Sequence, residues 1–353
     1  MISPNHFCVN RKNRHFALFR RIFLSISPLW PLWKTILVIF PDLLYNQNIS
    51  TGKVLIMKLK PYTKGLLLTA AGAVGWGISG VCSQSLFASY TLSSDWLTAV
   101  RMLLSGILLL LLSLPKEKSG IFNVWKSKTD IGWLLAFAII GLLMCQYTFL
   151  SAIEYSNSAT ATVLQSLNVV IMAVFVALRD RIPLTRRQIT AILLAVVGTY
   201  LMATGGKLGG LVLSPAGLIF GLLSAVGVVT YTLLSQPIIQ KWGNMPVTGW
   251  GMLIGGIVLG TAVQVWNIPA GLDLTAWLLI AIIVVVGTAG GFSLFLQGVK
   301  YIGPGKATLI GCLEPIAATV LSYLFLNTRF GAVELIGFAA VLTTVVLSMG
   351  KEN

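Results

Sequence analysis

Long apolar runs separated by short polar turns make up the chain from Gly65 onward. The turns are rich in Gly, Pro, Asn or charged residues, as expected between helices. A helix of about 20 apolar residues is long enough to cross a bilayer. The pattern therefore predicts ten membrane-spanning helices, at roughly 65–88, 93–114, 131–153, 158–178, 187–205, 215–239, 246–267, 275–298, 304–326 and 331–349.

The first 56 residues do not fit this pattern. Several arginines and a lysine precede an apolar stretch, 22–45, which three prolines and Lys34 interrupt. No small-residue cleavage site of the signal-peptide kind follows it. At Met57 the sequence restarts as MKLKPYTKG, like an ordinary basic start before a first span. We expect residues 1–56 to be either an upstream translation extension or a loosely attached interfacial segment.

The basic residues of the loops predict the orientation. In the ten-span scheme fifteen Lys and Arg residues fall on one side, whereas the other side has only Lys207 and Arg329. Positive residues are enriched in cytoplasmic loops, so both termini are predicted to be cytoplasmic. An additional span at 22–45 would place the basic tail outside, against this rule.

Two pairs of spans repeat along the chain. Residues 65–86 align without gaps over 217–238, and the alignment matches an Ala-Val-Gly triplet and a Ser-Gln pair. The fourth and ninth spans also align, which places Asn168 at the position of Glu314. The chain is therefore predicted to consist of two halves with five spans each.

An odd number of spans in each half means that the second half crosses the membrane in the opposite sense. Inverted repeats of this kind are typical of secondary transporters, which bind substrate near the midplane between the repeats. The predicted fold is an all-α membrane protein with ten transmembrane helices in two inverted five-helix repeats. Their predicted limits are 57–206 and 207–353.

Composition supports membrane insertion and argues against several other classes of protein. Of the 353 residues, 56% are hydrophobic and 10% are charged, whereas soluble domains have about 25% charged residues. The net charge of +15 comes from short loops and reflects topology, so nucleic acid is not a predicted partner. The four cysteines and two histidines have no metal-ligand spacing, so neither a metal nor another cofactor is predicted.

Glu314 is the ionisable residue that stands out. It lies in an apolar span, about 13 Å from the start of the helix, and Pro315 follows it. A carboxylate near the bilayer centre is expensive and usually functional. It could couple protons to solute movement or bind an amine, or it could be a neutral acid that holds a kink by hydrogen bonding. Pro315 removes a backbone donor there and is a candidate gating residue.

Arg101 is a second candidate, six residues inside the outer end of the second span. It is expected either to extend to the surface or to line the exit and attract a carboxylate.

Polar and aromatic side chains at mid-span depth are candidates for a central solute cavity. Each could equally be a hydrogen-bonding residue at a helix interface. An uncharged, aromatic lining with one acid suits a neutral or zwitterionic solute of amino-acid size. The set consists of Trp76, Tyr147, Gln165, Asn168, Tyr231, Gln236 and Gln297, together with Glu314.

The chain resembles the EamA-type members of the drug/metabolite transporter superfamily. The resemblance rests on the ten spans in two halves, Arg101 in TAVRMLLSGILLLLL, the basic turn after the fourth span and LEPIAATVLSYLFL at 313–326. The resemblance covers about 57–350. It departs from the family at the turns 179–181 and 327–329, where a Gly-Glu-Arg-like sequence is often found. It implies export or exchange of small metabolites, often amino acids, without ATP.

The sequence therefore predicts a secondary transporter in a bacterial cytoplasmic membrane, with a small solute and, if Glu314 couples, protons as partners. Gly303-Pro-Gly-Lys306 lacks the spacing of a phosphate-binding loop, and no HExxH motif or intramembrane acid pair is present. No enzymatic activity or catalytic residue is predicted. A membrane-embedded sensor or assembly subunit that does not transport is the alternative.

Overall fold

The structure, a computed structural model, describes residues 60–181, 183–207 and 211–348. Within these ranges all regular secondary structure is helical. The predicted all-α fold is thereby confirmed for this part of the chain. The predicted extension, residues 1–56, lies outside the described residues.

Eight helices in the described part of the chain are long and apolar enough to cross a membrane, so the chain is a multi-pass membrane protein. A short 3-10 segment joins the second helix to the third. These eight helices are α1 Pro61–Ser89, α2 Ser94–Glu117, α3 Lys128–Tyr155, α4 Ser158–Asp180, α5 Arg186–Thr204, α6 Pro215–Trp242, α7 Asn244–Ala262 and α8 Leu274–Ile302.

The ninth predicted span is divided, and the tenth begins one residue later than predicted. The ninth is divided into a first part, Pro304–Gly311, and a second part, Leu313–Leu326, which together we call α9. The tenth helix, α10, is Ala332–Ser348. An unbroken run of apolar residues does not reveal such a division, because Cys312 is as apolar as its neighbours. Crossing by α9 and α10 stays a prediction.

Local sequence signals fix where several helices begin. Thr185 starts α5 with a capping box, in which its side chain accepts from the Gln188 amide and the Gln188 side chain accepts from the Thr185 amide. Ser214 and Asp273 cap α6 and α8 through their side-chain oxygens. Each cap satisfies a backbone donor that the first helical turn leaves unpaired. The helix bounds are therefore encoded locally as well as by hydrophobicity.

Four helices are irregular in the middle. Helices α3 and α8 contain π-helical segments, Phe137–Leu143 and Ile283–Gly290. Helix α4 is interrupted at residues 166–167, and α9 is interrupted at Cys312. π-Helical turns often occur at functional sites, and helix breaks at membrane depth need protein or a cavity beside them. The irregularities therefore draw attention to the centre of the bundle.

The irregular helices of the first half have counterparts in the second half, each the same number of residues further along the chain. Helices α3, α4 and α5 begin at residues 128, 158 and 186, and α8, α9 and α10 begin 146 residues later, at 274, 304 and 332. The π segments begin at residues 137 and 283, which is the same separation. Helices α3 to α5 and α8 to α10 thus form matching series, including their departures from α geometry.

Glycines let the helices approach closely across the two halves. A Cβ atom added at Gly72 in α1 would lie 2.8 Å from the Gly291 carbonyl oxygen in α8. One added at Gly227 in α6 would lie 2.7 Å from Cys145 Cα in α3. Helix α2 packs on α7, and α5 packs on α10. Each half therefore contributes helices that pack directly against the other half.

Gly198 gives a test of this packing. A Cβ atom there would lie 2.9 Å from the Gly337 carbonyl oxygen and 2.9 Å from Val341 Cγ2. We expect Gly198→Ala to lower the free energy of unfolding by about 1–3 kcal/mol, because α5 and α10 must move apart. Thermal unfolding of the purified protein in detergent measures the change.

Gly132→Ala is the matched control. Gly132 is in α3 and has nothing within 4 Å of an added Cβ atom. Alanine favours a helix over glycine, so this variant should be unchanged or more stable by up to about 1 kcal/mol. Equal unfolding temperatures for the Gly198 variant and the wild type would contradict the close packing of α5 on α10.

Candidate functional site

Glu314 lies in the first turn of the second part of α9, directly after the interruption at Cys312. Pro315 therefore does not interrupt a continuous helix, and a gating role for it stays a prediction. The helix begins anew at Leu313, and proline is tolerated in a first turn, where amide groups have no intrahelical partner.

The surroundings of Glu314 place it inside the bundle. Its side chain is deep in the protein yet remains partly accessible. It has no hydrogen bond or ion pair to the described residues. It interacts electrostatically with Arg101, Cys145, Tyr231 and Cys312. Glu314 is thus an unpartnered carboxyl group at the centre of several helices.

Arg101 in α2 is buried, with 5% of its surface exposed. The expectation that it extends to the surface is wrong. Its Nε donates to Thr288 Oγ1 at 3.0 Å, and the Thr288 hydroxyl donates to the Ile283 carbonyl oxygen at 3.0 Å. Its Nη1 is buried and has no hydrogen-bond partner. The π segment of α8 therefore positions the guanidinium group and leaves part of it unpaired.

Trp76 in α1 supplies a second unpaired donor. Its ring contacts Phe292 and Phe295 of α8, with centroids 5.3 Å and 4.8 Å apart. Its Nε1 is buried and also lacks a partner. Gly291 makes room for the indole, since a Cβ atom there would lie 2.6 Å from Trp76 Nε1. The aromatic contacts fix the ring and leave its N–H group without a hydrogen-bond partner.

Three more predicted residues lie near this centre. Gln165 Nε2 donates to Cys145 Sγ at 3.8 Å, and Asn168 Nδ2 donates to the Gln165 carbonyl oxygen at 2.7 Å across the break in α4. Tyr231 interacts electrostatically with Cys145 and Glu314. The two amides and the phenol are partly accessible, like Glu314. The structure therefore brings residues of both halves together.

The other predicted lining residues are placed differently. Tyr147 packs edge-on against Phe220, with ring centroids 6.1 Å apart. Gln297 is half-buried, and Gln236 is exposed on α6. No hydrogen bond to the described residues joins either glutamine to the centre. A role in solute binding stays a prediction for these three residues.

Gln84 has a role that the sequence did not reveal. Its Oε1 accepts from the Ser158 amide at 2.9 Å and from the Ser322 hydroxyl at 3.2 Å, and its Nε2 donates to Thr328 Oγ1 at 3.2 Å. It thereby joins the end of α1 to the start of α4 and the end of α9. The repeated Ser-Gln pair was a signal of this position.

Polar contacts also join neighbouring helices at both ends of the bundle. At the end that includes the start of α3, Asp130 accepts from Lys241 Nζ at 2.6 Å and from Trp242 Nε1 at 3.0 Å. At the opposite end the Tyr90 hydroxyl donates to Asp273 at 2.7 Å. Burial raises the pKa of Tyr90, and Asp273 raises it further. These contacts belong to the loops and helix ends. They are separate from the central group, by which we mean Trp76, Arg101 and Glu314.

A surface cavity of about 460 Å³ lies beside Tyr90 and includes the side chains of Asp95, Trp96, Glu154 and Asn267. Among the described residues no group of three His, Cys, Asp or Glu side chains could hold a metal ion. The central group, with two unpaired donors and one carboxyl group, is therefore the best candidate for solute binding.

Comparison with known proteins places this architecture in a family. Residues 63–204 and 215–350 each match the EamA-like transporter family. The chain is 37% identical over 284 residues to the uncharacterized inner membrane transporter YicL of Salmonella typhimurium, over 80% of this chain and 94% of that one. It is 25% identical over 277 residues to protein PecM of Dickeya dadantii, over 73% and 86% of the two chains.

A solved crystal structure shares the fold, with a TM-score of 0.57 over 80% of this chain and 94% of that one, at 17% identity. The resemblance to EamA-type transporters is confirmed by these matches.

Proposed function

Because this chain belongs to the EamA-like transporter family, we propose that it is a secondary transporter that exports or exchanges small metabolites by alternating access. Its solutes are amino acids or related neutral and zwitterionic molecules. The observation that carries this proposal is the central group, in which Trp76 of α1 and Arg101 of α2 each have a buried unpaired donor, and Arg101 interacts electrostatically with the unpaired carboxyl group of Glu314. In a purely structural core, buried polar groups are expected to be hydrogen-bonded to one another. Buried polar groups without such partners suit a site that receives a polar solute.

We further propose ten spans in two inverted five-helix repeats, 57–206 and 207–353, with both termini in the cytoplasm. The common separation of 146 residues between α3 to α5 and α8 to α10 supports two repeats. The double family match, at 63–204 and 215–350, agrees with it. Inversion follows if each repeat crosses five times, since an odd number of crossings reverses the sense of the next repeat.

Within this scheme the residues have separate roles. Trp76, Gln165, Asn168, Tyr231 and Glu314 line the central site. Tyr147, Gln236 and Gln297 line the paths that lead to it. Arg101 supplies a donor to the site, and Pro315, which follows Glu314 in the first turn of the second part of α9, is the proposed gating residue. The breaks in α4 and α9 put backbone groups within reach of a bound solute, as discontinuous helices do in other transporters.

Counterflow in proteoliposomes tests the proposed function. Purified full-length protein is reconstituted into vesicles loaded with a mixture of amino acids, and a panel of labelled metabolites is added outside. Uptake above protein-free vesicles for one chemical group of solutes is expected. The absence of counterflow across the panel, from protein with a cooperative thermal transition, would contradict a transporter of such solutes.

A further inference from the structure

We infer that Arg101 and Trp76 together form the binding site for a carboxylate group of the transported solute. The inference rests on the proposed function and adds a chemical requirement to it. Solutes with a carboxylate are recognised, and otherwise identical solutes that lack it are not.

The first step is the state of the two donors. Arg101 is 5% exposed, and a guanidinium group is always charged. Its Nε is paired with Thr288, but its Nη1 has no partner, and neither has Trp76 Nε1. A buried unpaired donor is unfavourable, and more so when it is charged. A solute that accepts hydrogen bonds from both would remove this penalty.

The second step is that the side chains of Arg101 and Trp76 both contact the same helix, α8. Arg101 is bonded to Thr288, and Trp76 lies against Gly291. These two positions are three residues apart in α8, at the end of its π segment. The donors therefore come from α1 and α2 and meet at neighbouring positions of α8. A carboxylate has two oxygens and can accept from two such groups at once.

The third step is the charge of the acceptor. Arg101 is the charged donor of the pair, and Glu314 lies within electrostatic range of it without forming an ion pair. The guanidinium group is thus not neutralised by direct contact and can attract an anion. One guanidinium group suits a single carboxylate, whereas a phosphate with two charges would require more cationic groups. The geometry points to monocarboxylate recognition.

Competition in proteoliposomes measures the requirement. Vesicles that contain the full-length protein are loaded with the twenty amino acids, and uptake of the labelled mixture is followed. The unlabelled competitors are the same amino acids or the primary amines that remain after removal of the carboxylate. We expect the amino acids to compete at least about 10-fold more strongly than the amines, as a lost charged hydrogen bond predicts.

Two substitutions then assign the preference to residues. Arg101→Gln should bring the two competitor sets to within about 3-fold of each other, because the charged donor is lost. Trp76→Phe keeps the aromatic contacts but removes the N–H group, and it should weaken competition by amino acids about 2- to 10-fold while leaving the amines unchanged. Arg179→Gln is the matched control, since Arg179 is exposed and far along α4.

The outcomes separate the inference from the proposed function. Equal competition by amines and amino acids in the wild type, or an unchanged preference in Arg101→Gln, would overturn the inference. Uptake of labelled sugars or nucleosides without uptake of amino acids would keep the carrier and also overturn it. No uptake of any solute would instead contradict the proposed function. If Arg101→Gln does not fold, the Trp76→Phe comparison decides.

Discussion

Glu314→Gln is expected to abolish solute movement driven by a pH gradient while leaving exchange of solute for solute. Glutamine has nearly the same shape as glutamic acid and keeps its polarity, but it cannot bind or release a proton. Glu314 has no hydrogen bond or ion pair to the described residues that the substitution would break. The variant therefore removes a proton site with little change to the fold.

The measurement uses proteoliposomes with an imposed pH gradient and no solute gradient. The flux driven by the pH gradient should fall to that of protein-free vesicles, whereas counterflow at equal pH should continue. Glu334→Gln is the matched control, because that carboxyl group lies at the start of α10 and accepts from the Gly331 amide. An unchanged pH dependence in Glu314→Gln would remove this residue from the coupling mechanism.

Other titratable groups around Glu314 must be tested in the same assay. Arg101, Cys145, Tyr231 and Cys312 interact with it electrostatically. Tyr231→Phe removes the phenol, and Cys145→Ser replaces the thiol by a hydroxyl group that does not titrate at accessible pH, both with small changes in shape. If pH coupling belongs to Glu314, flux in both variants should still respond to the gradient. Loss of the response in Tyr231→Phe alone would assign coupling to the phenol.

Most of the helix positions could be predicted from the sequence because apolar runs and caps are local signals. Helix α5 was predicted at 187–205 and is Arg186–Thr204. Glu314 was found because one carboxyl group in an apolar run is conspicuous. The π segments and the break in α4 were missed, since Ser166 and Leu167 do not interrupt the apolar pattern. Such deviations depend on which neighbouring helix is present to cover the backbone.

Arg101 shows why depth along a helix is not enough. Counting residues placed it near the outer end of its span, from which a long side chain can reach the surface. The pairing with Thr288 depends on a π segment that begins at Ile283, far along the chain. A sequence pattern gives the depth of a residue but not which side of the helix is covered. The same limit explains why Gln84 was noticed only as part of a repeat.

Gln84→Ala is expected to loosen one end of the transporter. The three hydrogen bonds of Gln84 connect α1 with Ser158, Ser322 and Thr328. Each is worth about 0.5–1.5 kcal/mol, so their loss should destabilise this closed end by about 2–4 kcal/mol. In the proposed topology it is the outer end of the protein. Residues 158–164 here are all buried, whereas only Val170 is buried in the second part of α4.

The two ends of the molecule differ in a way that gives this substitution a matched control. Gln236 is the position that aligns with Gln84 in the other half, but it is exposed and has no described partner. The residue that corresponds to Ser158 is Pro304, which has no amide hydrogen to donate. Among the described residues, the three hydrogen bonds of this glutamine are therefore formed at the Gln84 end and not at the Gln236 end. Such a difference between the two ends is expected of a carrier that is closed to one side.

Amide hydrogen exchange of the full-length protein in lipid nanodiscs measures the loosening. In Gln84→Ala the amides of residues 158–164 should exchange about 30- to 1,000-fold faster, in proportion to the lost stability of the closed state. Gln236→Ala should leave them unchanged. Equal exchange in all three proteins would show that Gln84 does not hold the end closed. Faster exchange along the whole chain would indicate general unfolding instead. Loss of the Gln84 hydrogen bonds should release only the segments that they join, and the amides of α5 and α10 should stay protected.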